Sequence, residues 1–430
     1  MSANPNMKIE INQGRVIDAS GGIDGAQSLY LADGKILAIG TPPASWKADK
    51  VIDASGRIIC AGLVDLCARL REPGLEHKAT LESEMSAAVA GGVTSLVCPP
   101  DTDPVLDEPG LVEMLKRRAT ALNQTRVYPL GAFTTGLRGT HLTEMVELTE
   151  AGCVGFTNGD HPIIDTVVMF RGMQYAATYG YPVWLRAEEA HLARGGIAHD
   201  GEVATRLGLA GIPVSAETIA ISTIITLMRE TGANVHLARL SSRQGVDLVR
   251  AAKAEGLPLT CDVGIHHLLL TDRDIGHFDS QYRFAPPLRS PTDRDALSRG
   301  VIDGTIDAIC SDHTPVDDDA KNVPFGEAEP GATGLELLLP LTLKWATQAN
   351  VDVATALGKI TGSPAAILGI SEGKIVAGVP ADLCIFDPAA YWAVTAQTLR
   401  SQGKNTPWLR RELQGRVTHT IVNGVLVFKA

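Results

Sequence analysis

Cysteine frameworks are missing from this sequence of 430 residues. It has no C-x-x-C pair, and its seven cysteines are scattered at positions 60, 67, 98, 153, 261, 310 and 384. Scattered cysteines do not have the spacing of a disulfide-rich domain or of a structural zinc site. The pattern favours reduced thiols, and we therefore expect a cytoplasmic protein.

Long apolar runs and basic blocks are also missing. No stretch of about 18 uncharged apolar residues occurs, so we expect no membrane span. The N-terminus has no cationic region followed by an apolar run, so we expect no secretory signal. The formal net charge is −11, from 38 Lys and Arg against 49 Asp and Glu. An acidic chain without a basic stripe does not suit nucleic acid, so we expect no such partner.

The composition is sufficient for one large α/β domain and a smaller one, because 45% of the residues are hydrophobic. Apolar and polar residues alternate over residues 8–60, with Ala-Asp-Gly and Ala-Ser-Gly turns, which predicts short antiparallel strands. The C-terminal segments "GKIVAGVPADLCIFDP" and "GRVTHTIVNGVLVF" show the same pattern. We predict that residues 1–61 and 366–430 together build one small β-domain around a second domain, residues 62–365.

The middle of the chain alternates short apolar runs with longer helical patterns. Eight runs are typical of buried strands: residues 62–67, 93–98, 126–131, 153–158, 181–186, 234–240, 258–263 and 306–312. Eight β–α units in roughly 300 residues favour a (β/α)₈ barrel over an open sheet. In such a barrel, function resides at the C-terminal ends of the strands.

The predicted strand ends are rich in arginine and poor in metal ligands. They carry Arg69, Arg71, Arg186 and Arg239, whereas ligands are limited to Asp312, His313, the pair His266–His267 and Cys67. A guanidinium group stays protonated, does not ligate a cation and repels one nearby. The sequence also lacks an H-E-x-x-H pair, a nucleophile elbow and a glycine-rich phosphate loop. The residues therefore argue against a metal hydrolase.

Several segments nevertheless match a known family in one order along the chain. They are "GLVDL", "LREPG", "GGVTSLVC", "DTDPV", "HHLLLTDRDI", "PPLRSPTDRDAL", "IDGTIDAICSDHTP", "GLELLLPL", "GVPADLCIFDP" and "KNTPW". Through them the sequence resembles the cyclic amidohydrolases, and within these the dihydroorotases, over about residues 8–428. The resemblance implies a TIM barrel with a small β-sandwich built by both termini. It also implies a zinc centre in the active members.

The zinc ligands implied by the resemblance are mostly replaced in this sequence. The His-x-His positions hold Cys67 and Arg69, and the strand-four aspartate pair aligns with Asn158 and Gly159, with Asp160 next in the chain. The strand-five and strand-six histidines align with Arg186 and Arg239. Only the strand-eight aspartate, the family's catalytic base and ligand, is retained, as Asp312. We therefore expect no metal and no other cofactor.

The family's substrate pocket is also altered. Its positions align with Arg71, Asp101, Ala285, Val316, Pro330 and Gly331. Arg71, which in the family binds the substrate carboxylate, is retained, whereas Asp101 and Ala285 stand where the family has asparagines. We expect Asp101 to pair with Arg71 in a charge-assisted contact and so to fill the place of the substrate carboxylate.

The pattern is similar to the inactive dihydroorotase-like proteins that associate with aspartate carbamoyltransferase. It implies a non-catalytic subunit that assembles and stabilises the transferase in pyrimidine biosynthesis, in a large mixed oligomer. One alternative is a working cyclic amidohydrolase with a degenerate or mononuclear metal site. Its candidate ligands are Asp312, His313, Cys67, Asp160, His236 and His267, although His236 and His267 also suit hydrogen-bonded core positions. Another alternative is an anion-binding regulatory module built on Arg69, Arg186 and Arg239, unless Asp312, Glu188 and Asp160 neutralise them.

Overall fold

The structure is a computed structural model that describes residues 7–430. Its first five strands are β1 (Ile9–Asp18), β2 (Ile23–Ala32), β3 (Lys35–Ile39), β4 (Lys50–Asp53) and β5 (Ile58–Ala61). Asp33 and Gly34 connect β2 to β3, and both have positive φ, as a tight hairpin turn of the primed type requires. The prediction of antiparallel strands is wrong for β4, which pairs in parallel with β1. Strand β5 pairs in parallel with β1 and antiparallel with the later strand Leu383–Ala393. The chain crosses back between β3 and β4, so β4 and β5 run in the direction of β1.

Eleven strands follow in the middle of the chain. They are β6 (Leu63–Asp65), β7 (Val93–Cys98), β8 (Arg126–Pro129), β9 (Gly131–Ala132), β10 (Phe156–Thr157), β11 (Val183–Leu185), β12 (Ala198–His199), β13 (Gly211–Ile212), β14 (Val235–Leu237), β15 (Leu259–Gly264) and β16 (Ala308–Cys310). Strands β12 and β13 pair only with each other. The others lie within or beside the eight predicted runs.

These remaining strands form two parallel arcs, β6–β7–β8 and β9–β10–β11–β14–β15–β16. Strands β8 and β9 are separated only by Leu130, so the arcs are continuous on that side. On the other side, Ala68 and His313 form a parallel bridge. The Arg69 N–H donates to the His313 carbonyl at 2.9 Å, and the His313 N–H donates to the Cys67 carbonyl at 3.1 Å. The predicted (β/α)₈ barrel is confirmed.

Helices alternate with these strands. They are α1 (Leu81–Ala90), α2 (Pro109–Leu122), α3 (Met145–Ala151), α4 (Thr166–Tyr179), α5 (Ala190–Ala193), α6 (Glu202–Leu207), α7 (Val214–Thr231), α8 (Arg243–Ala254), α9 (Pro291–Ile302), α10 (Asp318–Lys321), α11 (Leu338–Ala349), α12 (Val353–Gly358) and α13 (Gly362–Leu368). Thr80, Ser242 and Ser290 cap three of them by accepting a backbone N–H. In the described part of the chain, none of these helices combines the length and apolar character needed to cross a bilayer.

The chain ends with β17 (Leu383–Ala393), β18 (Glu412–Val422) and β19 (Val425–Lys429). They extend the N-terminal sheet in the order β19–β18–β17–β5–β1–β2–β3, so both ends of the chain share one sheet. A second apolar core, including Ile11, Leu29 and Ile385, packs on this sheet. The domain limits stay a prediction, and the one after residue 365 falls inside α13.

The segment between β17 and β18 returns to the C-terminal end of the barrel. There the buried Asn405 side chain accepts a hydrogen bond from the Val316 N–H at 3.0 Å. It donates to the carbonyls of Thr314 at 2.9 Å and Gly331 at 3.1 Å. Asn405 thereby fixes the segment that follows β16 and contacts Val316 and Gly331, two of the three predicted pocket positions in it.

We expect Asn405→Ala to destabilise the protein by about 2–4 kcal/mol, because it leaves buried backbone groups without a partner. Asn322→Ala is the matched control: Asn322 is exposed, and its replacement should change stability by no more than about 0.5 kcal/mol. Urea unfolding of the two variants and the parent chain measures both effects. Equal effects for the two variants would show that the Asn405 contacts do not stabilise the loop.

Candidate active-site region

Charged side chains from five strands meet at the C-terminal mouth of the barrel. Arg69 follows β6, Asp101 follows β7, Asp160 follows β10, Arg239 follows β14 and Asp312 follows β16. Arg186, which follows β11, joins them through Asp160. We call these six residues the mouth cluster.

Arg69 lies at the centre of the mouth cluster, and its side chain is only 4% exposed. Its Nε donates to Asp101 Oδ2 at 2.6 Å, and its Nη2 donates to Asp160 Oδ2 at 2.7 Å. The third nitrogen, Nη1, donates to Thr314 Oγ1 at 2.9 Å and lies 3.5 Å from Asp312 Oδ1. One guanidinium group thus joins the ends of four strands.

Arg239 is the second buried cation. Its Nη1 donates to Asp312 Oδ1 at 2.9 Å and to the Ala285 carbonyl at 3.3 Å, and its Nη2 donates to Asp160 Oδ1. Its backbone φ is +59°, and its N–H donates to Asp262 Oδ1 at 2.7 Å. A left-handed backbone is uncommon for a residue with a long side chain, so the buried Asp262 helps to hold this conformation.

Arg186 completes the ring of cations. Its two Nη atoms donate to the two carboxylate oxygens of Glu188, each at 2.8 Å, and its Nε lies 3.0 Å from Asp160 Oδ1. Such a bidentate pair fixes the plane of the guanidinium group. Asp160 therefore contacts Arg69, Arg186 and Arg239 together. The sequence predicts Asp160 either as a candidate metal ligand or as a carboxylate that neutralises these arginines, and in the structure it forms ion pairs with all three.

The three arginines determine the ionisation of Asp160. Burial alone raises the pKa of its carboxyl group, but the charges of Arg239, Arg69 and Arg186 outweigh burial and bring that pKa far below its usual value. Burial likewise raises the pKa of Asp101, and the charges of Arg69 and Arg71 more than compensate, so the net shift is downward. Both carboxyl groups are therefore ionised at neutral pH.

The residues present do not fit the zinc centre that the resemblance implies. Burial raises the pKa of the Cys67 thiol well above its ordinary value, and a neutral thiol is a poor ligand. Asp312 and Asp160 already accept hydrogen bonds from Arg239, and guanidinium groups do not ligate zinc. Within residues 7–430, no three His, Cys, Asp or Glu side chains lie together in a way that could hold a metal ion.

The candidate histidine ligands all have other partners. His313 Nε2 lies 2.6 Å from Glu84 Oε2, and its Nδ1 accepts the Gly334 N–H at 3.0 Å. His236 lies between Thr260 and Asp262, with contacts of 2.8 and 3.0 Å. His266 Nδ1 accepts a hydrogen bond from the Trp408 indole N–H at 3.0 Å, and His267 Nε2 lies 3.0 Å from the Pro286 carbonyl. These contacts hold the barrel together, and none of them is with the mouth cluster.

The predicted pairing of Arg71 with Asp101 is wrong. Asp101 bonds to Arg69 instead, whereas Arg71 Nε donates to the Pro315 carbonyl at 2.9 Å. Arg71 has a left-handed backbone, with φ of +65°, and its side chain bonds to the loop after β16. Asp101 is already paired with Arg69, so it makes no direct contact with Arg71. Arg71 forms no salt bridge with any of the described residues.

The other aligned positions serve mainly as backbone contacts. Ala285 accepts from Arg239 through its carbonyl, Val316 and Gly331 bond to Asn405, and Pro330 is exposed. Asn158 does not face the cluster: its Oδ1 accepts from Thr134 at 2.6 Å and its amide donates to the carbonyls of Leu137 and His161. Gly159 has φ of +59°, a turn that precedes Asp160.

Comparison with known proteins gives the family. Residues 56–245 match the family described as Dihydro-orotase-like, and residues 210–428 match the one described as Amidohydrolase family. A dihydroorotase-like protein of Pseudomonas aeruginosa is 43% identical over 98% of this chain and 99% of its own length. The chain belongs to the dihydroorotase-like amidohydrolase family. A dihydroorotase of Geobacter sp. (strain M21) is 39% identical over 99% of this chain and 100% of its own length.

Solved structures agree on the fold of this family member. The L-hydantoinase (dihydropyrimidinase) of Arthrobacter aurescens superimposes with a TM-score of 0.88 at 24% identity, over 98% of this chain and 96% of that one. A D-hydantoinase superimposes with a TM-score of 0.82 at 20% identity, over 98% and 95% of the two chains. At these identities the likeness shows the fold alone.

We expect Arg239→Met to destabilise the protein by about 3–5 kcal/mol, because it leaves the buried carboxylate of Asp312 without its nearest cation. The matched control is Arg229→Met, whose side chain is 49% exposed and pairs with Glu255 on the surface. That control should cost no more than about 1 kcal/mol. Urea unfolding measures both variants. A loss for Arg239→Met no larger than the control would contradict a stabilising role for the mouth cluster.

The mouth cluster also predicts a pH dependence. The folded pKa of Asp160 lies below its unfolded value of about 3.9, so ionised Asp160 contributes its full stability above that pH and loses it as pH falls toward the folded pKa. Asp160→Asn should therefore lower the thermal midpoint more at pH 7 than at pH 3. Asp318→Asn is the matched control at an exposed position, and its midpoint at pH 7 should stay close to that of the parent chain. A deficit for Asp160→Asn that grows on acidification would overturn the assignment.

Proposed function

We propose that this chain is a non-catalytic member of its family that assembles and stabilises aspartate carbamoyltransferase in the cytoplasm. The observation that carries the proposal is the mouth cluster, in which Arg69, Arg186 and Arg239 occupy the positions of the family's metal ligands. The chain keeps the fold of the family and has exchanged its catalytic groups for fixed positive charges.

The chemistry of ring opening supports this proposal. Hydrolysis of a cyclic amide needs a polarised carbonyl, an activated water and a base that can take up a proton. Asp312 stands at the position of that base, but it accepts a hydrogen bond from Arg239 at 2.9 Å and lies 3.5 Å from Arg69 Nη1. Asp312 Oδ1 is thus occupied by two guanidinium groups and is not free to bind a water molecule or a substrate.

Retention of an intact barrel also supports a structural role. A subunit that acts through its surface must still fold and present that surface, whereas it does not need a free base or an open metal position. The pairing of all three arginines with carboxylates argues against the anion-binding alternative as well. Each cation already has one or more carboxylate partners, so none is left over for a free anion.

A second candidate function is hydrolysis of dihydroorotate or another cyclic amide. The observation in its favour is that relatives at 39% identity over nearly the full length carry the name dihydroorotase. This candidate requires the mouth cluster to open and to admit a metal ion. We therefore rank it below the structural role.

One experiment tests both candidates. The chain is expressed with and without the aspartate carbamoyltransferase of its own organism, and the purified samples are assayed for complex formation, transferase activity, zinc content and dihydroorotate turnover. We expect a stable complex, a transferase that is less active or less assembled without this chain, little zinc and no turnover. A fully assembled and active transferase without the chain would contradict the first candidate, and near-stoichiometric zinc with turnover would establish the second.

A further inference from the structure

A recess with three cations lies between the C-terminal strands and the ends of helices α1 and α11. It encloses about 350 Å³, and Arg400, Arg416 and Lys429 line it. Arg400 belongs to the segment between β17 and β18, Arg416 to β18 and Lys429 to β19, so the last part of the chain supplies all three. No residue of the mouth cluster lines this recess. We call it the C-terminal recess.

The three cations of the C-terminal recess have no acidic partner among residues 7–430. Other surface arginines of the chain do have one: Arg15 pairs with Asp24 at 2.6 Å, and Arg229 pairs with Glu255 at 2.9 Å. Ala430 also lines the recess, and none of the three cations pairs with its terminal carboxylate. Three like charges around one recess produce a positive potential on a chain whose formal net charge is −11.

The carboxylates closest to these cations have other hydrogen-bond donors. Glu336 lines the recess, and it accepts the Arg400 N–H at 2.9 Å and the Ser401 N–H at 3.1 Å. Burial raises the pKa of Glu336 to about 7, so part of its charge is absent at neutral pH. Asp387, which is opposite Arg416 in the sheet, accepts two N–H groups of its own strand. Neither carboxylate therefore pairs with the side chains of the three cations.

Aromatic rings form another part of the lining. Trp392 of β17 and Phe428 of β19 both line the recess and are half-buried. The Arg400 guanidinium lies 4.8 Å from the centre of the Phe428 ring, in a cation–π contact that restricts its position. The Trp392 indole N–H donates to the Gly415 carbonyl at 3.1 Å, which restricts that ring as well. The recess thus combines flat apolar surface with positive charge.

We infer that the C-terminal recess binds a nucleoside diphosphate. Guanidinium groups bind phosphate oxygens in a bidentate manner, and two arginines and a lysine match a diphosphate in charge. A nucleobase stacks on aromatic rings and on guanidinium planes, which Trp392 and Arg400 supply. Gln397 also lines the recess, and its amide can form hydrogen bonds with the edge of a base. The volume lies in the range of about 300–1,000 Å³ that small-molecule sites have.

Simpler ligands match only part of this lining. Inorganic phosphate or a small carboxylate would contact the cations, but it would leave the aromatic surface and the Gln397 amide without a contact. A nucleoside without phosphate would leave the three cations without one. A nucleoside diphosphate uses both parts. The inference concerns this chain alone, so it does not depend on binding to the transferase.

The test measures binding of ADP to the full chain by isothermal titration calorimetry, with adenosine and pyrophosphate as the two parts of the ligand. ADP should bind saturably, at one site, and at least about tenfold more tightly than either part. Arg416→Gln should weaken ADP binding at least about tenfold, because it removes a charge-assisted contact with phosphate. The matched control is Arg411→Gln, an exposed arginine outside the recess, which should change the affinity by no more than about twofold. Absence of saturable ADP binding, or an equal effect of the two variants, would overturn the inference.

Photolabelling gives a second measurement that does not depend on a change of charge. The compound 8-azido-ADP carries its photoreactive group on the base, so it should label the peptides that contain Trp392 or Phe428. Excess ADP should prevent the label, whereas the same concentration of adenosine should not. Label confined to the mouth of the barrel, or label that ADP does not reduce, would contradict the site. Pyrophosphate that binds as tightly as ADP would overturn the assignment of a nucleoside.

Discussion

Arg69, Arg186 and Arg239 remain at the mouth of the barrel because each of them meets a carboxylate there. Arg69 and Arg239 are both almost fully buried, and a buried charge without a partner is strongly destabilising. Asp160 forms ion pairs with all three arginines, and Asp312 lies between Arg69 and Arg239. The strand ends of the barrel are therefore joined by ion pairs.

A second set of buried polar contacts surrounds this cluster and connects it to the rest of the chain. Glu84 of α1 bonds to His313, to the Ser401 hydroxyl at 2.6 Å and to the Gln402 N–H at 2.9 Å. Asn405 holds the loop after β16 from the same C-terminal segment. The segment between β17 and β18 of the β-sandwich therefore packs against the end of the barrel.

The mouth and the outer surface of the barrel differ in which side chains they expose. At the mouth, nearly all charged side chains are paired with one another, as in a rigid structural element. On the outer surface, apolar side chains such as those of Ile164, Val167 and Ile219 are exposed.

The sequence by itself determined most of the strands and the barrel, because apolar runs, turn residues and residue identities are local properties. It also identified the cations that reach the mouth. Only the tertiary structure decided their partners. Arg69 and Arg71 are equivalent candidates for Asp101 in the sequence, and the choice depends on the left-handed backbone of Arg71 and on the Pro315 carbonyl. Ion pairing depends on distances between strand ends far apart in the chain, which no local pattern specifies.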